Sequence, residues 1–138
     1  MIPRTDDPDT AGFFDAARRG ELAVRTCDRC STVLHTPRAY CSACGSWDTT
    51  WVPVRPTGTL YSWTVNRHQI NPEFPIPYTV VLVELDDAPD VRLLGHLPGA
   101  PELALGQPMV ARFDEMAPGV VVPQWETAAR PAEHTDER

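Results

Sequence analysis

The residues best placed to do chemistry in this 138-residue chain are four cysteines in two pairs of identical spacing, Cys27-Asp28-Arg29-Cys30 and Cys41-Ser42-Ala43-Cys44. Two CxxC turns with ten residues between them can present four thiolates to one tetrahedral ion. Four cysteines close the coordination sphere and leave no position for water or substrate, so the expected zinc is structural, not catalytic. Gly45 follows the second pair, where a positive φ and backbone N–H groups directed at sulfur are commonly needed; Ser31 stands at the equivalent place after the first and departs from that pattern. The alternatives are rubredoxin-like iron and redox disulfides, the latter disfavoured by the reducing compartment expected for this chain. A ribbon of about thirty residues has little core, so metal binding would supply on the order of 10 kcal/mol of its folding free energy.

No other residue type forms a catalytic pattern. His35, His68, His96 and His134 are scattered, and no pair has the spacing of ligands on a helix. There is no serine nucleophile motif, no glycine-rich phosphate loop and no cysteine outside the two pairs, so catalytic residues are not expected in this chain. The acidic pairs Asp86-Asp87 and Asp114-Glu115 fall at strand ends or turns, where solvated charge is the ordinary reading.

The elements that must position the cysteines are short. Fifteen prolines argue against long helices and for strands with proline-rich connections. Thr10 to Gly20 reads as one short helix, with Thr10 as its N-cap and Gly20 ending it in a left-handed conformation. Phe13 and Ala17 are four apart with Phe14 beside them, an apolar stripe that must pack on the chain itself or on a partner. The cysteine segment carries strand-like pieces at 22–26, 33–35 and 48–54. Beyond Pro56 five longer alternating runs follow, at 59–67, 78–86, 91–97, 109–115 and 120–125, which suits a small closed barrel. In the first of these Tyr61, Trp63 and Val65 are expected on one face and Ser62, Thr64 and Asn66 on the other. The expected organisation is mainly β: an N-terminal segment with a short helix (1–22), a four-cysteine zinc ribbon (23–55), a five-stranded OB-fold barrel (56–126) and a disordered tail (127–138).

Charge and hydropathy exclude some functions. The net charge is -7, from 12 basic and 19 acidic residues, and all the basic residues are arginines spread along the chain. Nucleic-acid binding draws its non-specific affinity from clustered cations, so an OB barrel stacking nucleobases on its aromatics is the rival reading that this charge opposes. No apolar run approaches the roughly 20 residues that cross a bilayer, and the first residues lack the apolar segment of a secretory signal. A cytoplasmic protein without membrane contact is expected. Tyr61, Trp63, Phe74, Tyr78, Trp47, Trp51 and Trp125 are many large aromatics for a small barrel, so some are expected at an interface or ligand groove.

The order of these features is that of a known family. The helix Phe13-Phe14-Asp15-Ala16-Ala17-Arg18-Arg19-Gly20-Glu21-Leu22, the two CxxC pairs with Pro37-Arg38 between them, the strand Gly58-Thr59-Leu60-Tyr61-Ser62-Trp63-Thr64, then Val83-Glu84-Leu85-Asp86 and Arg92-Leu93-Leu94-Gly95 resemble the OB-fold proteins with a rubredoxin-like zinc ribbon. These were long catalogued as a domain of unknown function beside thiolase-like genes. The match runs from about Phe13 to Trp125. The resemblance implies a non-catalytic subunit that binds and stabilises a thiolase-fold enzyme, in a hetro-oligomer built on a thiolase dimer, and in some members helps to hold an acyl-CoA. The partner it favours is the retro-aldol lyase of steroid side-chain degradation; a thiolase or a hotdog-fold enoyl-CoA hydratase is the alternative. Under that reading Phe13, Phe14, Tyr61, Trp63 and Phe74 are candidate partner contacts. Arg67 could meet a CoA phosphate, and Asn66 or His68 a polar substrate group, although an ordinary solvated loop is the favoured account of these three.

Overall fold

Strand β5, Tyr78–Leu85, buries every second side chain, with Thr79, Val81, Val83 and Leu85 at 0–1 % exposure, and the other elements assemble around it. The structure, a computed structural model, describes residues 2–128. In chain order it contains helix α1 (Ala11–Arg18), β1 (Leu22–Cys27), β2 (Val33–Leu34), β3 (Thr49–Val54), β4 (Thr57–Asn66), β5, β6 (Arg92–Pro98), β7 (Pro108–Ala117) and β8 (Val120–Thr127). Each expected strand is present within two residues of its expected bounds. Thr127 still belongs to β8, paired with Met109; the tail expected beyond it, including His134, lies outside the described residues.

Helix α1 starts differently from expectation. Thr10 makes no side-chain capping bond; the backbone N–H groups of Thr10 and Ala11 instead donate to the Asp7 carbonyl at 3.0 and 2.7 Å. Its end is as expected. Gly20 has φ 71°, its N–H donates to Ala17 O at 2.9 Å, and the Glu21 N–H reaches back to Ala16 O at 3.0 Å. These two bonds satisfy carbonyls that the last turn leaves free. Buried Ala16 and Ala17 let the helix approach closely, and Gly12 lies against the Trp51 indole of β3, leaving no room for a Cβ.

Two antiparallel sheets follow. In the ribbon β1 is central, in the order β2-β1-β3; in the barrel the order is β6-β5-β4-β7-β8. The two edge strands of the second sheet then meet. The His96 N–H donates to Gln124 Oε1 at 2.7 Å across them, and Gly95 sits beneath Trp125. Leu22 and Val24 of the ribbon enter the same apolar core as Leu60, Val81, Val83, Leu85, Met109 and Trp125 of the barrel, so the ribbon is packed onto the barrel and not merely tethered to it.

One sequence expectation fails for a tertiary reason. Tyr61 does not share a face with Trp63, because the β4–β5 register shifts between Leu60 and Ser62 and leaves Tyr61 as the extra residue of a bulge. Leu60 and Trp63 face the core, while Tyr61 turns outward under the Arg92 guanidinium, 3.9 Å from its ring centre. Of the acidic pairs, Asp86, Asp87 and Glu115 are exposed as expected, and Asp114 is half-buried; three of the four carboxylates also accept hydrogen bonds. Asp87 accepts the Arg55 N–H and Nε, both at 2.8 Å, Asp86 accepts Thr57 Oγ1 at 2.6 Å, and Asp114 takes both Nε and an Nη of Arg112 at 2.8 and 3.0 Å.

Candidate metal centre and docking surfaces

The four cysteines converge. Their Sγ atoms all lie within 4.8 Å of one another, with Cys27 to Cys44 and Cys30 to Cys41 both at 3.6 Å. A disulfide would place two sulfurs about 2.05 Å apart, whereas a tetrahedral zinc with Zn–S bonds of about 2.3 Å requires roughly 3.8 Å. The spacing is that of ligands around one ion. Two of the sulfurs, Cys27 and Cys41, are buried, and the other two are exposed.

Both turns share one backbone frame. The Cys27 N–H donates to Thr32 O at 2.9 Å and the Ser31 N–H to Cys27 O at 3.0 Å; the Cys41 N–H donates to Ser46 O at 2.8 Å and the Gly45 N–H to Cys41 O at 2.8 Å. Ser31 adopts φ 62°, close to the 75° of Gly45, so its departure from glycine does not change the turn. Their hydrogen bonds make the thiols electrostatically uneven. The Thr32 hydroxyl, followed by the Thr32 backbone, holds Cys30 down to about 6. The Ser46 backbone favours the Cys44 thiolate, yet desolvation and the neighbouring sulfurs push it up to about 11. Four thiolates this close require a cation between them, and the cluster fits one divalent ion that binds all four.

The remaining candidates do not form one site. Phe13 packs against the shared core and meets Phe14 edge to face at 5.4 Å. Both rings line an apolar cleft of about 230 Å³ with Val24, Leu34, Trp51 and Leu93, where helix, ribbon and barrel meet. Trp63 is half-buried in the barrel. Asn66 ends β4, and Arg67 and His68 stand exposed in the following loop. Phe74, from that same loop, stacks 6.0 Å from Tyr78 and 5.6 Å from His96.

His96 was not a candidate from sequence. Burial, then the positive charge of Arg112, lowers its pKa against a smaller opposing pull from Asp114. Its Nε2 is buried without a hydrogen-bond partner among the described residues. Its place in an alternating strand opposite Val80 is the signal available; its contact with Phe74, 22 residues away in sequence, is not. A second aromatic pair, Tyr40 and Trp47 at 5.5 Å, lies exposed beside the second cysteine turn. No helix among the described residues is long and apolar enough to cross a membrane.

Known proteins share this architecture. Residues 14–48 match the family described as ChsH2, rubredoxin-like zinc ribbon domain, and residues 51–114 match ChsH2, C-terminal OB-fold domain. The chain superposes on a chain of the solved Ltp2-ChsH2(DUF35) aldolase with a TM-score of 0.82 and 33% identity, covering 92% of this chain and 100% of that one. A DUF35-family protein of unknown function from Sulfolobus solfataricus matches at a TM-score of 0.56 and 17% identity, over 79% of this chain and 77% of that one, a likeness of fold alone. Among curated proteins, a probable enoyl-CoA hydratase alpha subunit of Thermomonospora curvata is 37% identical over 122 residues, covering 87% of this chain and 38% of the relative. The 3-oxo-4,17-pregnadiene-20-carboxyl-CoA hydratase alpha subunit of Mycobacterium tuberculosis is 30% identical over 116 residues, covering 82% and 36%. The chain thus spans little more than a third of the curated relatives it matches.

Proposed function

This chain belongs to the ChsH2 family of OB-fold proteins with a rubredoxin-like zinc ribbon, and from that premise we propose that it is the accessory subunit of a thiolase-like acyl-CoA enzyme, namely the carbon–carbon lyase that shortens a steroid side chain by retro-aldol cleavage. The observation that carries this reading is the likeness to a chain of the Ltp2-ChsH2(DUF35) aldolase over that chain's whole length. A match to the whole of a complex's subunit bears on function more directly than a shared barrel, which many functions use.

The chain's part in the reaction is positional. Cys27, Cys30, Cys41 and Cys44 would hold one zinc, which cross-links a segment too small to hold its own shape. β1 carries that rigidity into the barrel core through Leu22 and Val24, and β3 through Val54. The bonds from Arg55 to Asp87 tie the ribbon's exit to the β5–β6 turn. The acyl-CoA chemistry belongs to the partner. Co-expression with an Ltp2-type aldolase tests this: a stoichiometric complex with retro-aldol activity on a steroid acyl-CoA is expected, and an aldolase that stays separate from the zinc-loaded chain would refute the reading.

A second reading rests on the curated relatives, both hydratase alpha subunits of which this chain matches one part. In it the chain serves a hotdog-fold enoyl-CoA hydratase. Binding to that hydratase in place of the aldolase would favour it.

A further inference from the structure

The outward face of β5 is unusual for a sheet with one wet side. An antiparallel strand that covers a core on one face ordinarily alternates apolar and polar residues. In β5 the inward set is Thr79, Val81, Val83 and Leu85, and the outward set is Tyr78, Val80, Leu82 and Glu84. Only Glu84 is charged. The neighbouring strand continues the pattern, since Leu94 pairs with Leu82 and His96 with Val80, and Leu94 is 66% exposed. Phe74 covers one end, where a cleft of about 340 Å³ crosses the seam to Val122 and Pro123 of β8. The result is an uncharged stripe of Phe74, Tyr78, Val80, Leu82, Leu94 and His96. It ends at the Glu84–Arg92 ion pair and is flanked by the Arg112–Asp114 pair near His96.

We infer that this face, the outer surface of β5 and β6, is where the partner enzyme docks; the inference rests on the accessory-subunit reading and adds to it which side of the barrel is used. At about 3.3 Å per residue and 4.8 Å between strands the stripe is roughly 20 Å by 10 Å. At about 200 Å² it would form only the apolar middle of an interface, which needs about 800 Å² per partner and a polar rim around that middle. The bordering ion pairs supply such a rim. A second copy of this chain is a poor occupant, because two surfaces of net charge -7 repel each other. A polyanion is a poorer one, since the arginines nearest the stripe, Arg92 and Arg112, are already paired with carboxylates. The fitting occupant is an uncharged apolar surface of the enzyme carrying one hydrogen-bonding group. That group would answer the orphaned Nε2 of His96 once the Phe74 loop adjusts, because a buried polar atom without a partner is costly until something bonds it.

The test uses the zinc-loaded full chain and an Ltp2-type aldolase. Leu94→Asp places a charge on a side chain that the free protein leaves exposed, so zinc content and circular dichroism should be unchanged while affinity falls at least thirtyfold, as at an interface centre. Leu105→Asp, an equally exposed leucine outside the stripe, should bind as the native chain does. Hydroxyl-radical footprinting of the native complex provides a readout that needs no variant: Phe74, Tyr78 and Leu94 should be protected. Wild-type affinity in Leu94→Asp, equal losses in both variants, or no protection of these side chains would overturn the assignment of this face while leaving the accessory role standing. Failure of the native chain to bind the aldolase at all would overturn both.

Discussion

Ser31 and Gly45 occupy the same position in two copies of one turn, at φ 62° and 75°, each donating its N–H to the carbonyl of the first cysteine of its pair at 3.0 and 2.8 Å. A side chain in the left-handed region costs about 1–2 kcal/mol relative to the right-handed one, part of which glycine returns as unfolded-state entropy. Ser31→Gly should therefore stabilise the zinc-loaded protein by roughly 0.5–1 kcal/mol, and Gly45→Ala should destabilise it. Denaturant titration of the two variants beside the native chain measures both signs.

Loss of any one sulfur should empty the metal site. Cys27→Ser, Cys30→Ser, Cys41→Ser and Cys44→Ser are each expected to lower bound zinc from one equivalent to near zero by elemental analysis, and to abolish partner binding. Because the ribbon depends on the ion for on the order of 10 kcal/mol of folding free energy, a strong chelator should have the same effect on the native chain. Full partner binding by metal-free protein would defeat the scaffold role assigned to the ribbon.

Gly95 is held beneath Trp125. A Cβ there would stand 2.5 Å from the indole Cδ1 and 3.0 Å from the Trp125 backbone nitrogen, and neither the core ring nor the strand backbone can retreat freely. Gly95→Ala is expected to cost about 1–3 kcal/mol by overpacking and to part β6 from β8. A drop in thermal midpoint with a red-shifted tryptophan emission would report it; a native-like midpoint would mean that the seam is looser than its geometry implies.

The Arg55–Asp87 contact should make part of the stability acid-sensitive. Hydrogen bonds from the Arg55 side chain and backbone lower the Asp87 pKa, so the carboxylate favours folding above the ordinary aspartate pKa of about 3.9, and that contribution fades as pH falls through the lowered folded value. Asp87→Asn should be less stable than the native chain at neutral pH and should lose less stability on acidification below about pH 4. Parallel unfolding curves for the two proteins across that range would exclude the contact as a source of pH dependence.

Much of this molecule is local, and what is local was legible. The metal site follows from two CxxC pairs because each turn is built within six residues, and the barrel strands follow from period-two alternation because a half-buried strand must show it. The end of α1 could be read from Gly20 for the same reason. What the tertiary structure alone decided involves residues brought together across the chain. The bulge at Tyr61 depends on the register with β5 and sends that ring to the opposite side from Trp63. The bond between Arg55 and Asp87 joins residues 32 apart, so the latter reads as a solvated turn until the ribbon is docked. His96 Nε2 is buried without a hydrogen-bond partner among the described residues only once the Phe74 loop folds over β6. The outward stripe has the same origin: alternation marks one face of β5 as buried, but that the other face is apolar across two strands emerges only when Leu82 and Val80 are set in register with Leu94 and His96.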